Sequence, residues 1–266
     1  MVYIDNSYQY STKIGHTENG DRAFSLIYET SPSGNDKIAV FLVTDGVSHT
    51  DSSADSSYMA SIEIKRVLSE LICNAEALSD MEDNDKMKLI FSVMKKAVLS
   101  ADKRLWNEEG NYACTASIAI VYANWIYTAN IGDSPIYVFD NMRESLTELY
   151  TCHNGAGYKV RSGLITKDEA IHDKDRNRLN KVVGGRNAML TEGDISTIRH
   201  PLPQDCVLLL GSDGALGLFN EQTISDIIIS NRNNMKNLCK EFYTKVIEHN
   251  GRDDSTLIAT KIRISY

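Results

Sequence analysis

Four apolar residues in a row, Val207-Leu208-Leu209-Leu210, run into the break Gly211-Ser212-Asp213-Gly214. Such a run predicts a short strand buried on both faces, with the carboxylate of Asp213 where the strand ends and the backbone turns. The same phrase stands far upstream, as Ile38 to Val43 followed by Thr44-Asp45-Gly46. A third acidic break, Asp253-Asp254, directly precedes the strand Ser255 to Thr260. A buried carboxylate is unfavourable unless a cation, hydrogen bonds or water compensate it. Asp-Gly is also a common turn dipeptide, so either pair taken alone reads first as a solvated turn. Three carboxylates brought to strand ends from distant parts of the chain point instead to a site for a hard cation.

The balance of charge agrees. Lys and Arg total 28 against 36 Asp and Glu, a formal net charge of −8. A general binder of nucleic acid or of an anionic membrane would need a basic surface, so neither partner is expected. With 266 residues, four prolines and no Pro/Gly/Ser-rich seam, the chain predicts one domain spanning 1–266. Its five cysteines are scattered, without a Cys-x-x-Cys pair, which excludes zinc spacing and a disulfide framework and suits the reducing cytoplasm. No basic-then-apolar leader opens the sequence, and no apolar run reaches transmembrane length. A soluble, cytoplasmic protein is expected.

Alternation predicts strands at 7–14, 22–29 and 37–44. Helical stripes follow at 53–74, carried by Met59, Ile62, Ile64, Val67, Leu68 and Leu71, and at 85–107, with Leu89, Ile90, Met94 and Val98 on one face. Ala116–Ala123 and Trp125–Ile131 read as a hairpin about Ala123-Asn124, and Pro135–Phe139 pairs with Leu146–Leu149 about Asp140-Asn141. Residues 152–186 are a polar excursion with short helices. Strands return at 194–199 and 205–210, helices at 221–229 and 233–249 with Asn250-Gly251 as a stop, and a last strand at 255–264. Hairpin-linked strands and paired helices make this an α+β chain with antiparallel sheets, not a βαβ alternation.

The order of the acidic motifs resembles the PP2C-type (PPM) metal-dependent protein phosphatases over nearly the whole chain. Asp21 lies in a polar turn and Asp45-Gly46 follows a strand. Ala129-Asn130-Ile131-Gly132-Asp133-Ser134 is close to the family's N-x-G-D-S-R, and Ser212-Asp213-Gly214 and Asp253-Asp254-x-Thr256 follow in order. Arg161-Ser162-Gly163-Leu164-Ile165-Thr166-Lys167-Asp168-Glu169-Ala170 looks like the flap of the bacterial members, and Asn177 to Gly184 like the run after it.

The resemblance implies a four-layer α/β/β/α sandwich of two antiparallel sheets flanked by helix pairs, with a flap at about 152–186. It implies two Mn²⁺ or Mg²⁺ ions and a weaker third. Asp45 would bridge the pair, the Gly46 carbonyl would complete one ion, Asp213 and Asp253 would hold the other, Asp21 would hold surrounding waters, and Asp133 would serve the third. Water activated between two divalent ions would hydrolyse phosphoserine or phosphothreonine in proteins, opposing a serine/threonine kinase, without a phosphoenzyme. The protein would act as a monomer.

Departures from the family pattern are also visible. His16 stands where an Arg grips the phosphate, and could act as proton donor. Gly20 replaces an acidic or amide residue, Pro135 replaces an Arg, Cys152-His153 replaces an Asp-His pair, and Gly217 stands where some members carry a further acid. They motivate an alternative, a pseudophosphatase that binds a phosphoprotein or partner without turnover. His153, His172, His200 and His249 show no ligand spacing and are expected at the surface or in packing.

Overall fold

The computed structural model describes residues 2–14, 18–29, 37–73, 75–186 and 188–265. The strands are β1 (Val2–Thr12), β2 (Asp21–Glu29), β3 (Lys37–Asp45), β4 (Ala113–Cys114), β5 (Ala116–Tyr122), β6 (Trp125–Ile131), β7 (Ile136–Asp140), β8 (Ser145–Glu148), β9 (Val183–Gly184), β10 (Ser196–Pro201), β11 (Asp205–Gly211) and β12 (Ser255–Ile264). The helices are α1 (Ser53–Cys73), α2 (Ala75–Ser79), α3 (Asp83–Trp106), α4 (Gly155–Arg161), α5 (Lys167–Ala170), α6 (Asp213–Leu216), α7 (Glu221–Asn231) and α8 (Met235–Glu248).

One sheet runs β1-β12-β11-β7-β8 and the other β10-β6-β5-β3-β2, and their pairings are antiparallel. The period-two geometry of β3 divides its side chains between two cores. Ile38, Val40 and Leu42 face α1 and α3, while Ala39, Phe41 and Val43 meet the inner faces of β11 and β12. On the far side, Val207, Leu209, Leu257 and Ala259 pack against α7 and α8. The molecule is therefore the expected helix–sheet–sheet–helix sandwich, and the run of apolar residues in β11 is explained by burial on both faces.

The hairpins fall where the sequence puts them, with Ala123 at φ 50° in the tight turn. Asn250, at φ 54°, ends α8 in the left-handed conformation, and Gly251 N–H donates to the Val246 carbonyl at 2.9 Å. Two apolar stripes are narrower than their sequence suggests. Ile62 and Leu89 face outward, and α1 buries Ala60, Ile64, Val67 and Leu71 instead. A helix on a flat sheet covers only one arc, and residues at its margin stay exposed. β1 begins at Val2 because it pairs along its whole length with β12, a partnership its polar sequence does not announce. The four-residue α6 is too short to show periodicity.

The two Asp-Gly pairs are not solvated turns. A Cβ on Gly46 would sit 2.0 Å from the backbone oxygen of Ser53, at the start of α1. A Cβ on Gly214 would sit 2.1 Å from the carbonyl oxygen of Asp254. Each glycine lets a second segment of backbone pass at contact distance beside an aspartate. Gly46→Ala is expected to destabilise by about 3 kcal/mol, since backbone on both sides must shift. Urea unfolding checks this, and a loss under 0.5 kcal/mol would show that the close approach is slack.

Candidate metal centre

Five aspartates, at strand ends or connections of the two large sheets, share one region. Asp21 opens β2 and Asp45 closes β3, and the two are cross-strand partners. Gly46 N–H donates to the Gly20 carbonyl at 3.0 Å, holding the strands together beyond the last pair. Asp133 lies in the β6–β7 connection. Asp213 lies at the end of β11, and Asp253 just before the neighbouring β12. Thr115 locks the loops: its N–H donates to the Asp45 carbonyl at 2.7 Å, and its hydroxyl pairs with Ser134 at 2.6 Å.

These carboxylates burden one another. Burial pushes the Asp21 carboxyl up to about 7, with repulsion from Asp213 adding to it. Both of its oxygens are buried without a hydrogen-bond partner of ordinary geometry, although the Ser212 and Thr256 hydroxyls lie near enough to ease the charge. Asp45 is raised well above the usual carboxylate range by burial, then by Asp21, Asp213, Asp253 and Asp133. Asp133 rises to about 7 through burial and Asp213, eased by Asn154 and Arg176.

An all-oxygen donor set with two orphaned buried oxygens fits a hard divalent cation. Among the described residues no three His, Cys, Asp or Glu side chains stand close enough to grip an ion as placed. Closing on one would draw together carboxylates whose repulsion the ion removes. The sequence-predicted Asp21, Asp45, Gly46, Asp133, Asp213 and Asp253 thus share one region, and His16 lies outside the described residues.

Asp254 has a different task from its neighbour. Buried, it accepts the Ile14 N–H at 2.8 Å and the Gly20 N–H at 2.6 Å, pinning the β1–β2 connection beside Asp21. Removing it breaks two charge-assisted bonds to backbone. Asp254→Ala is therefore expected to cost about 2–4 kcal/mol and to lower divalent-ion affinity as Asp21 loosens. Thermal unfolding and calorimetry with Mn²⁺ read the two effects separately.

Two residues near the carboxylates escape a motif search. His153 is buried, accepts the Gly132 N–H on Nδ1 at 3.2 Å and meets Ser196 Oγ through Nε2 at 3.0 Å. Burial, with Lys181 and Arg161 nearby, lowers it to about 4, so it is a neutral brace for the Gly132-Asp133 loop. Asn154 donates to Asp133 Oδ2 at 2.9 Å and to the Arg176 carbonyl at 2.5 Å, and accepts the Gly157 N–H at 2.8 Å as the cap of α4. One amide thus ties Asp133 to the flap. His172 and His249 are exposed.

Asp213 lines two adjoining cavities. The first, of about 320 Å³, also meets Asp253, Ser48, Arg176 and Arg252. The second, of about 230 Å³, lies between the flap and the body and also meets Asp133. Arg176, at the rim of both, comes from the flap and had no sequence signal beyond its place before Asn177. Among the described residues no helix is long and apolar enough to cross a membrane.

Residues 29–244 match the family model of Protein phosphatase 2C. The chain is 27% identical over 225 residues to the serine/threonine phosphatase stp of Listeria welshimeri serovar 6b, covering 84% of each. Its fold resembles that of serine/threonine phosphatase Stp1 from Staphylococcus aureus, with a TM-score of 0.74 at 19% identity, over 99% of this chain and 96% of that one. It also resembles the catalytic domain of the serine/threonine protein phosphatase PstP in complex with two manganese ions, with a TM-score of 0.69 at 14% identity, over 99% and 100% of the two chains. With its acidic motifs in order and its sandwich matched end to end, the chain belongs to the protein phosphatase 2C family and is a PP2C-type enzyme.

Proposed function

We propose that the protein hydrolyses phosphoserine and phosphothreonine in cytoplasmic phosphoproteins, within one domain spanning residues 1–266 and against the action of a serine/threonine kinase. Support comes above all from Asp21, whose two buried oxygens lack a hydrogen-bond partner of ordinary geometry while Asp45, Asp133 and Asp213 crowd the same region. Asp45, the Gly46 carbonyl, Asp213 and Asp253 would hold a pair of Mn²⁺ or Mg²⁺ ions, with Asp133 serving a third and Asp21 holding water around them. Bound there, the ions supply Lewis acidity and make water nucleophilic near neutral pH.

The chain's own residues would do the rest. Arg176 and Arg252, on the rim of the cleft that Asp213 and Asp253 line, would draw the phosphate dianion in and orient it, the task left open by His16. Asn154 would hold Asp133 and the flap in one register. His16 would give a proton to the departing Ser or Thr oxygen. Arg176→Ala is expected to raise KM for a phosphopeptide about tenfold with a smaller change in kcat, as loss of a ground-state phosphate contact should. Steady-state kinetics check this, and an unchanged KM would remove Arg176 from substrate binding.

Phosphate release from a phosphothreonine peptide, with Mn²⁺, with EDTA, and with Asp213→Asn, tests the whole assignment. Release that requires Mn²⁺ and disappears in the variant is the expected result. Full release in EDTA or in Asp213→Asn would refute it, and neither release nor Mn²⁺ binding would leave a protein that binds phosphoproteins without turnover.

A further inference from the structure

The 230 Å³ cavity under the flap has no task in the chemistry above, yet it is continuous with the carboxylate region through Asp133 and Asp213. Its walls combine charged groups with a continuous apolar and aromatic face. Tyr137 and Tyr150 stand edge to face with ring centroids 5.9 Å apart. Leu216 and Phe219, both buried, follow Asp213 on the body side, and Val160 and Ile171 close it from the flap. Lys167 reaches Glu148 at 2.7 Å and Glu221 at 2.5 Å and offsets part of their charge, and Asp168, Arg161 and Arg176 also line the cavity. Apolar cavities of roughly 150 Å³ accommodate a benzene ring, and this one is larger.

We infer that this cavity is a specificity pocket for a large apolar side chain, aromatic or leucine-like, flanking the phosphorylated residue of the substrate. The inference rests on the phosphoprotein substrate proposed above. Two features select this occupant. The cavity begins at Asp133 and Asp213, so a residue adjacent in a bound peptide is the group that meets it. Its lining offers the ring faces of Tyr137, Tyr150 and Phe219 and the aliphatic carbon of Val160, Ile171 and Leu216, surfaces that a large apolar side chain matches. Because Val160 and Ile171 belong to the flap segment, the pocket's width follows the flap, and a filled pocket would bury flap side chains against substrate as well as against the body.

The test uses a phosphothreonine peptide with alanine at the two positions on either side, replaced one at a time by Phe, Leu, Lys or Glu. With Mn²⁺ present, Phe or Leu at one of these positions is expected to raise kcat/KM about tenfold over Ala, and Lys or Glu is not. Val160→Trp, which fills the cavity from α4, should bring the Phe-to-Ala ratio to about 1. Ile171→Trp fills it from the other side of the flap and serves should the first variant fail to fold. A flat series, a preference for Lys, or a Phe preference that survives filling overturns the inference.

A small aryl phosphate, too short to reach the cavity, reports hydrolysis at the carboxylates separately. Should neither it nor any peptide be hydrolysed, the phosphatase assignment fails. The affinities of the same labelled peptides, read by fluorescence anisotropy, then still decide the cavity's preference.

Discussion

Asp45→Asn is expected to lower turnover of a phosphothreonine peptide by about a thousandfold or more while raising the melting temperature of the metal-free protein. Both effects follow from one position. Asp45 ends β3 with its carboxyl pushed well up by burial and by Asp21, Asp213, Asp253 and Asp133. An amide of the same shape removes the charge that four neighbours repel, so the metal-free fold relaxes. The same change takes one negative charge from the residues that would hold the two dications. Losing several kcal/mol of charge stabilisation in the transition state corresponds to about a thousandfold in rate. A gain of 1–2 kcal/mol in stability would appear as a rise of roughly 2–8 °C. Opposite signs of this kind mark a site held under electrostatic strain for function. Turnover within tenfold of the natural protein would place Asp45 outside the chemistry. A fall in melting temperature would show that its carboxylate is a structural acceptor instead.

How far the sequence carried the structure depended on the kind of pattern involved. β11 and β3 were legible because continuous apolar runs have few uses besides strands buried on both faces, and Asp45 and Asp213 stood out by interrupting them. Pairing between distant segments was not legible: alternation marked a strand at 7–14, but the polar, mostly exposed β1 starts already at Val2, where it follows its partner β12. The same limit hid Asp254, whose two backbone donors come from residues about 240 positions away, and made it look like a twin of Asp253. Asn154 and Arg176 were hidden for another reason. Asn154 acts through a contact between the flap and the body, Arg176 stands out only by lining both cavities beside the carboxylates, and neither lies in a run whose periodicity or composition differs from an ordinary polar loop. Gly46 and Gly214 were visible as turn residues, and Gly46 also as a carbonyl donor implied by the family resemblance. Their actual constraint, backbone passing within contact distance, is a tertiary fact that a dipeptide cannot express.

Stability of the metal-free protein should rise on moving from pH 7.5 to pH 5, and Mn²⁺ should stabilise far more at the higher pH. Asp21 and Asp133 have folded-state values of about 7 against 3.8 for the ordinary carboxylate. Between pH 4 and 7 the folded chain binds protons that the unfolded chain does not, so the stability these two groups contribute is fully present below about pH 4 and is lost as pH rises through 7. From pH 7.5 down to 5 the two together return on the order of a few kcal/mol. His153 works in the other direction. Its folded value of about 4 lies below 6.5, so its contribution is present above pH 6.5 and is lost as pH falls toward 4, about 2 kcal/mol over the same interval. Asp45, raised in the same direction, adds to the acids' side, so the net change is a gain, which His153→Gln should increase by removing the opposing group.

A divalent ion competes with these same protons, so its stabilising effect shrinks as the carboxylates become protonated. Melting curves at the two pH values, with Mn²⁺ and with EDTA, decide the matter. An Mn²⁺ shift that is equal at pH 5 and 7.5 would mean that the ion binds away from Asp21 and Asp133. A metal-free protein less stable at pH 5 would mean that their burial is relieved by some means other than a proton or a cation.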